Sequence, residues 1–197
     1  MIFDYPEPRN ARVHGPAGYS TYESYRPWLR DEFTFRCVYC LKREAWGRVT
    51  GEFELDHFEP QSLAPGIAFD YFNLVYACRR CNLVKQDQSI DDPLIILSSG
   101  FAVVSVDGSI FSDRIETQRL IRRLDLNSPN LRKWRVMWLR IVDLARERDS
   151  QLYRQLTGFP DDLPDLSQLR PPSNTNPSGI EISWYAKRER GQLPDEY

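Results

Sequence analysis

Residues 54–85 read ELDHFEPQSLAPGIAFDYFNLVYACRRCNLVK, and the fold turns on how this stretch is divided. Residues 52–58 have the apolar alternation of a short strand. Residues 59–69, with Pro60, Pro65 and Gly66, are turn-rich. Residues 73–77 predict a second strand, and residues 79–87 a helix. A strand, loop, strand and helix in this order form a β-hairpin leading into a helix. The first strand ends in Asp56-His57, although the chain has only two histidines. Such a pair at a strand end is most simply a surface turn or a satisfied hydrogen-bond partner. Its neighbours decide otherwise.

The four cysteines, Cys37, Cys40, Cys78 and Cys81, form two C-x-x-C pairs and leave none over. Two such pairs predict a structural tetrathiolate zinc site. A disulfide pair and a redox C-x-x-C are the competing readings. The first is disfavoured in a reducing compartment, and the second needs no second copy. Four thiolates leave the metal no open position, so any chemistry lies elsewhere.

In chain order the stretch offers C-x2-C, then Asp56-His57, Asn73, C-x2-C, Asn82 and Lys85. This ordered set resembles the HNH endonuclease family, in particular small bacterial stand-alone members with a four-cysteine zinc site. At the third signature position Asn82 stands where other members carry His. The resemblance implies an α+β fold: a ββα-metal core with an N-terminal helix and a mixed strand and helix extension after it. It implies His57 as general base in phosphodiester hydrolysis, a role suited to an imidazole at neutral pH. It implies Asp56 and Asn82 as oxygen ligands of a catalytic Mg²⁺ or Mn²⁺, and Asn73 as the brace that orients the histidine loop. Hard ions of this kind favour oxygen ligands. Because adjacent strand residues point to opposite faces, a local bend is expected to bring Asp56 and His57 to one site. Lys85, Arg80 and Arg79 are candidates to hold substrate phosphate, against the plainer reading of exposed helix charges.

The remainder divides into an N-terminal helical extension (residues 1–35), the nuclease core (36–90), a strand and helix extension (91–157) and a Pro-rich acidic tail (158–197). Residues 19–33 predict a helix with a start or kink at Pro27, packing Trp28 and Leu29 on the zinc module. The run from residue 93 to 112 reads as short strands with turns at Ser98-Ser99-Gly100 and Asp107-Gly108. Residues 113–126 and 127–149 predict two helices, the second with Ser128 as N-cap and Pro129 in its first turn. Leu131, Trp134, Trp138, Ile141 and Ala145 form its apolar stripe, with the tryptophans as core rather than base-stacking platforms.

The formal charge of −2 hides an uneven distribution. Residues 113–150 carry ten Arg or Lys against six Asp or Glu, whereas residues 159–197 carry seven acids against four bases. A basic middle suits a polyanionic partner despite the overall sign. No apolar run spans a membrane, and the N-terminal residues lack a signal core, so a cytoplasmic protein is expected.

Three functional classes follow. The first is a metal-dependent endonuclease acting on DNA, with RNA left open as a substrate. Its contacts are expected to be dominated by phosphate, since no recognition helix stands out. The second is a non-catalytic, zinc-stabilised nucleic-acid-binding module, which has no need of the full Asp56, His57, Asn73 and Asn82 set. The third is a nuclease subunit of a phage-defence system, activated by a protein partner such as an ATPase. Oligomeric state is open.

Overall fold

A computed structural model describes residues 2–7, 11–47 and 52–197. Residues 1, 8–10 and 48–51, which fall within the expected N-terminal extension and nuclease core, lie outside the described residues. The elements in order are β1 (Pro16–Ala17), α1 (Arg26–Glu32), β2 (Phe53–His57), β3 (Leu74–Cys78), α2 (Arg79–Lys85), α3 (Pro93–Ile96), β4 (Val103–Val104), β5 (Ile110–Phe111), α4 (Ile115–Arg123), α5 (Pro129–Arg148), α6 (Ser150–Thr157), β6 (Ser173–Asn174) and α7 (Trp184–Glu189). The fold is α+β, with three two-stranded antiparallel sheets among the described residues. At its centre β2 and β3 pair from Phe53↔Cys78 to His57↔Leu74, and α2 follows β3 without a linker. This is the expected ββα unit.

Local chemistry explains most boundaries. The predicted helix at residues 19–33 is a 3-10 turn over Tyr22–Tyr25 followed by α1, with Pro27 in the first turn where its missing N–H costs nothing. Pro129 opens α5 in the same way, although the Ser128 side chain makes no capping bond. Asp149 ends α5 and caps α6 by accepting from the N–H groups of Gln151 and Leu152. The stretch expected as strands from residue 93 begins instead as α3. Asp92 caps Leu94 N there and Pro93 sits in the first turn, so the apolar run is turned into a helix. The Asp107-Gly108 turn is present between β4 and β5. Gly108 adopts φ +77° against the Arg132 carbonyl, a position with no room for a Cβ.

The core lies between the ββα unit, α1 and α5. Trp28 and Leu29 of α1 are wholly buried. Trp46 stacks on Trp138 of α5 with ring centroids 4.5 Å apart, and Trp134 meets Phe3 and Trp46 edge-on. The α5 tryptophans are half-buried and pack against the core, in line with their spacing. Arg135, counted in the basic middle, is also buried, donating to the carbonyls of Gly108 and Leu126.

The tail is an ordered strap. Its β6 pairs with β1 (Pro16↔Asn174), and Trp184 N donates to Asp31 of α1 at 2.8 Å. The same Asp31 carboxylate holds His14 Nε2 at 2.8 Å. Among the described residues no helix is long and apolar enough to cross a membrane.

Trp46 ties the zinc-side loop to α5 by stacking and to α6 by donating to Leu156 O. Trp46→Ala is expected to cost about 3–5 kcal/mol in urea unfolding. A change below about 1 kcal/mol would mean that α5 does not depend on this stack.

Candidate active site and metal centre

The cysteines come together from two places. Cys37 and Cys40 flank a tight turn after α1, in which Leu41 N donates to Cys37 O. Cys78 closes β3 and Cys81 lies in the first turn of α2. All four are buried, and their Sγ atoms lie within 4.8 Å of one another. A zinc ion with sulfurs at about 2.3 Å has sulfur–sulfur edges of about 3.8 Å. The Cys40–Cys78 separation is 3.7 Å, far from the roughly 2.05 Å of a disulfide, and all four cysteines are free. Burial pushes the Cys37 thiol well up, whereas hydrogen bonds from the other three sulfurs hold Cys78 down. Four sulfurs sharing protons in an apolar pocket are the donor set of a divalent thiophilic ion, so the residues fit zinc.

Each face of β2 carries its own chemistry. Asp56 faces α2 and is only 4% exposed. Its Oδ2 accepts from the Tyr39 hydroxyl at 2.6 Å, and its Oδ1 from Lys85 Nζ at 3.1 Å. Burial pushes the Asp56 carboxyl up, while the charge of Lys85, the hydrogen bonds and the nearby His57 hold it down. Glu54, two residues earlier, accepts from Asn82 Nδ2 at 2.6 Å. Two acids one strand period apart therefore meet two side chains one helical turn apart.

His57 ends the strand. Its Nε2 lies 2.8 Å from the Ala68 carbonyl, with the side-chain amide of Gln61 3.1 Å from the same atom. Its ring meets Tyr22 edge-on at 5.2 Å. The Ala68 carbonyl only accepts and the Gln61 nitrogen only donates, so the two contacts ask opposite roles of Nε2; the shorter one, to Ala68 O, is made by the tautomer that carries its proton on Nε2. The carbonyl is held in place by the loop that Asn73 braces. Asn73, 2% exposed, accepts from Glu59 N at 3.0 Å and donates to the carbonyls of Glu59 at 3.0 Å and Ile67 at 3.3 Å.

Three placements differ from the sequence expectations. The bend expected between Asp56 and His57 is not in the ladder, whose register runs unbroken through both residues. Lys85 is 1% exposed and spends its ammonium on Asp56, the His57 carbonyl at 2.6 Å and the Gln86 carbonyl at 3.4 Å. Its ammonium lies inside the protein rather than at the surface. Arg80 is tied to the end of α4 through Leu124 O, Asp125 O and the Asp125 carboxylate. Arg79 is largely exposed, its nearest acid being Glu54 at 3.8 Å. Sequence reasoning missed Glu54 and Tyr39. The period-two spacing of Glu54 and Asp56 was the available signal for the first. Nothing linked Tyr39 to Asp56 beyond its place between two zinc ligands.

Residues 37–88 match the family model for HNH endonuclease. The match makes residues 37–88 an HNH endonuclease domain and speaks for that segment of the chain. The match runs from the first cysteine to just beyond α2, so both cysteine pairs and the whole ββα unit fall inside it. This domain implies a nucleic-acid substrate, a divalent metal and nuclease chemistry in the broad sense. No curated protein matches the chain.

Two outcomes are expected. The purified protein should hold one zinc per chain, and its removal by a strong chelator should unfold the HNH domain, followed by circular dichroism. Retention of the native spectrum without metal would contradict a folding role for the sulfur centre. Lys85→Met should cost about 3–5 kcal/mol by stranding buried Asp56, with much of the loss recovered by adding Asp56→Asn. Additive losses in the double variant would show that the two side chains are not coupled.

Proposed function

We propose that this protein is a metal-dependent endonuclease that hydrolyses phosphodiester bonds in DNA, with His57 as general base. The observation that supports the reading is the 2.8 Å contact of His57 Nε2 to Ala68 O, which favours the tautomer with the proton on Nε2 and Nδ1 as the proton acceptor. Asn73 holds the loop that supplies this carbonyl, and so orients the base without meeting substrate.

Asp56 and Asn82 would hold one Mg²⁺ or Mn²⁺. Such ions take one or two protein carboxylates and complete their shell with water and substrate phosphate. The chain fits this sparse requirement. A carboxylate offers about four lone-pair sites, of which Tyr39 and Lys85 take one each. The ion, when bound, supplies charge neutralisation at the phosphate and at the departing oxygen.

The rest is done by the protein's own side chains. His57 Nδ1 takes the proton of the attacking water. The Lys85 ammonium lies on Asp56 Oδ1 and offsets part of the cost of burying that carboxylate. A phosphate served by both Asp56 and His57 lies across the end of β2, where the two faces of the strand meet. Arg79, exposed at the start of α2, is the arginine of the expected set most open to a polyanion.

His57→Ala should abolish nicking of supercoiled plasmid in Mg²⁺ or Mn²⁺, a loss of at least about 10²-fold for a general base, with the melting temperature unchanged. Full activity in this variant would rule out the assignment. Binding without cleavage by the wild-type protein under any divalent ion would favour the non-catalytic binding module, and cleavage appearing only with an added protein would favour the partner-activated subunit.

A further inference from the structure

We propose that Glu54 is a positioning residue for the divalent-ion site, fixing the orientation of the Asn82 amide. The proposal rests on the reading of Asn82 as an oxygen ligand and adds to it a residue that the sequence motif does not single out. An asparagine amide is a planar group with a donor end and an acceptor end. If free to flip, it offers a cation either Oδ1 or the electropositive Nδ2 group, and only the first is a ligand. Glu54 removes this choice. Its Oε2 accepts from Asn82 Nδ2 at 2.6 Å, the short contact of a charge-assisted bond. The flipped amide would put two acceptor oxygens at that distance, which is repulsive. With Nδ2 held by Glu54, the planar geometry turns Oδ1 away from it and leaves that oxygen as the ligand.

The backbone makes this pairing obligatory. Strand alternation places Glu54 on the Asp56 face of β2, and one helical turn places Asn82 on the Lys85 face of α2. The Asp56–Lys85 pair and the Glu54–Asn82 pair lie side by side in one seam. The remaining charged neighbour of Glu54, Arg79, lies 3.8 Å from the other carboxylate oxygen and is two-thirds exposed. It is too well solvated to compete strongly for the carboxylate.

The test is Mn²⁺ affinity of the zinc-loaded protein, read by electron paramagnetic resonance of free Mn²⁺, so that no turnover is needed. Glu54→Ala should weaken Mn²⁺ binding about 10- to 100-fold, the range found when a side chain supporting a ligand is lost. Glu54→Gln keeps an acceptor oxygen for Asn82 Nδ2 while removing the charge, and should stay within about 3-fold of wild type. The proposal is overturned if Glu54→Ala binds Mn²⁺ as wild type while Asn82→Ala does not. It is also overturned if Glu54→Gln fails as badly as Glu54→Ala, which would assign the effect to charge rather than orientation. Unchanged affinity in Asn82→Ala itself would instead remove the metal-ligand reading on which the proposal rests. Zinc content and thermal unfolding of each variant separate loss of the site from loss of the fold.

Discussion

Four sulfur atoms must converge on one point, and the rest of the site follows from that constraint. Two of them, Cys78 and Cys81, straddle the junction of β3 and α2, so the sulfur centre sets the angle at which the helix leaves the hairpin. The other two bring in the turn at residues 37–40, whose Val38 N donates to Tyr76 O of β3 at 3.0 Å. Between those cysteines stands Tyr39, whose hydroxyl reaches Asp56. The thiol cluster is thus linked to the carboxylate by one residue of turn and one hydrogen bond. The sulfur cluster thus helps to set where the Asp56 carboxylate lies.

The seam between β2 and α2 is the second consequence. Burying Asp56 is costly unless a cation is buried with it, and α2 brings Lys85 to the same depth. The neighbouring pair is more open: Glu54 and Asn82 are both partly exposed. One end of the seam is therefore closed by an internal ion pair, and the other presents an amide and a carboxylate towards solvent. His57 stands outside the seam at the strand end, with its proton assigned by a backbone carbonyl. The imidazole of His57 and the acidic side chains of the seam thus sit in separate environments.

The ββα unit and the sulfur cluster were legible in the sequence because their signals are local or paired: C-x-x-C spacing, strand alternation, and turn residues between the strands. The tryptophans of α5 were legible for the same reason, through helical periodicity. What escaped were pairings over long separations. Lys85 reads as a surface charge at the end of a short helix, since no local pattern says which face of that helix meets a strand 28 or 29 residues earlier. Arg135 likewise reads as part of a basic face, yet two carbonyls outside α5 draw it inward. The apolar run at α3 reads as strand, and only the Asp92 cap with Pro93 turns it. The tail reads by composition as a loop or extended segment on the surface, but its backbone pairing with a segment more than 150 residues away is not legible there. Composition carries no information about such partners.

On the proposed reading two metals serve two donor sets: zinc on sulfur for the fold, and a hard divalent ion on oxygen for the reaction. The most direct measurement is DNA cleavage by protein whose zinc content is monitored while Mg²⁺ or Mn²⁺ is added. Cleavage should rise from nothing to its full rate as the second ion is added, with zinc constant at one per chain. Full cleavage with zinc alone, or cleavage that tracks zinc loss rather than Mg²⁺ or Mn²⁺ addition, would contradict it.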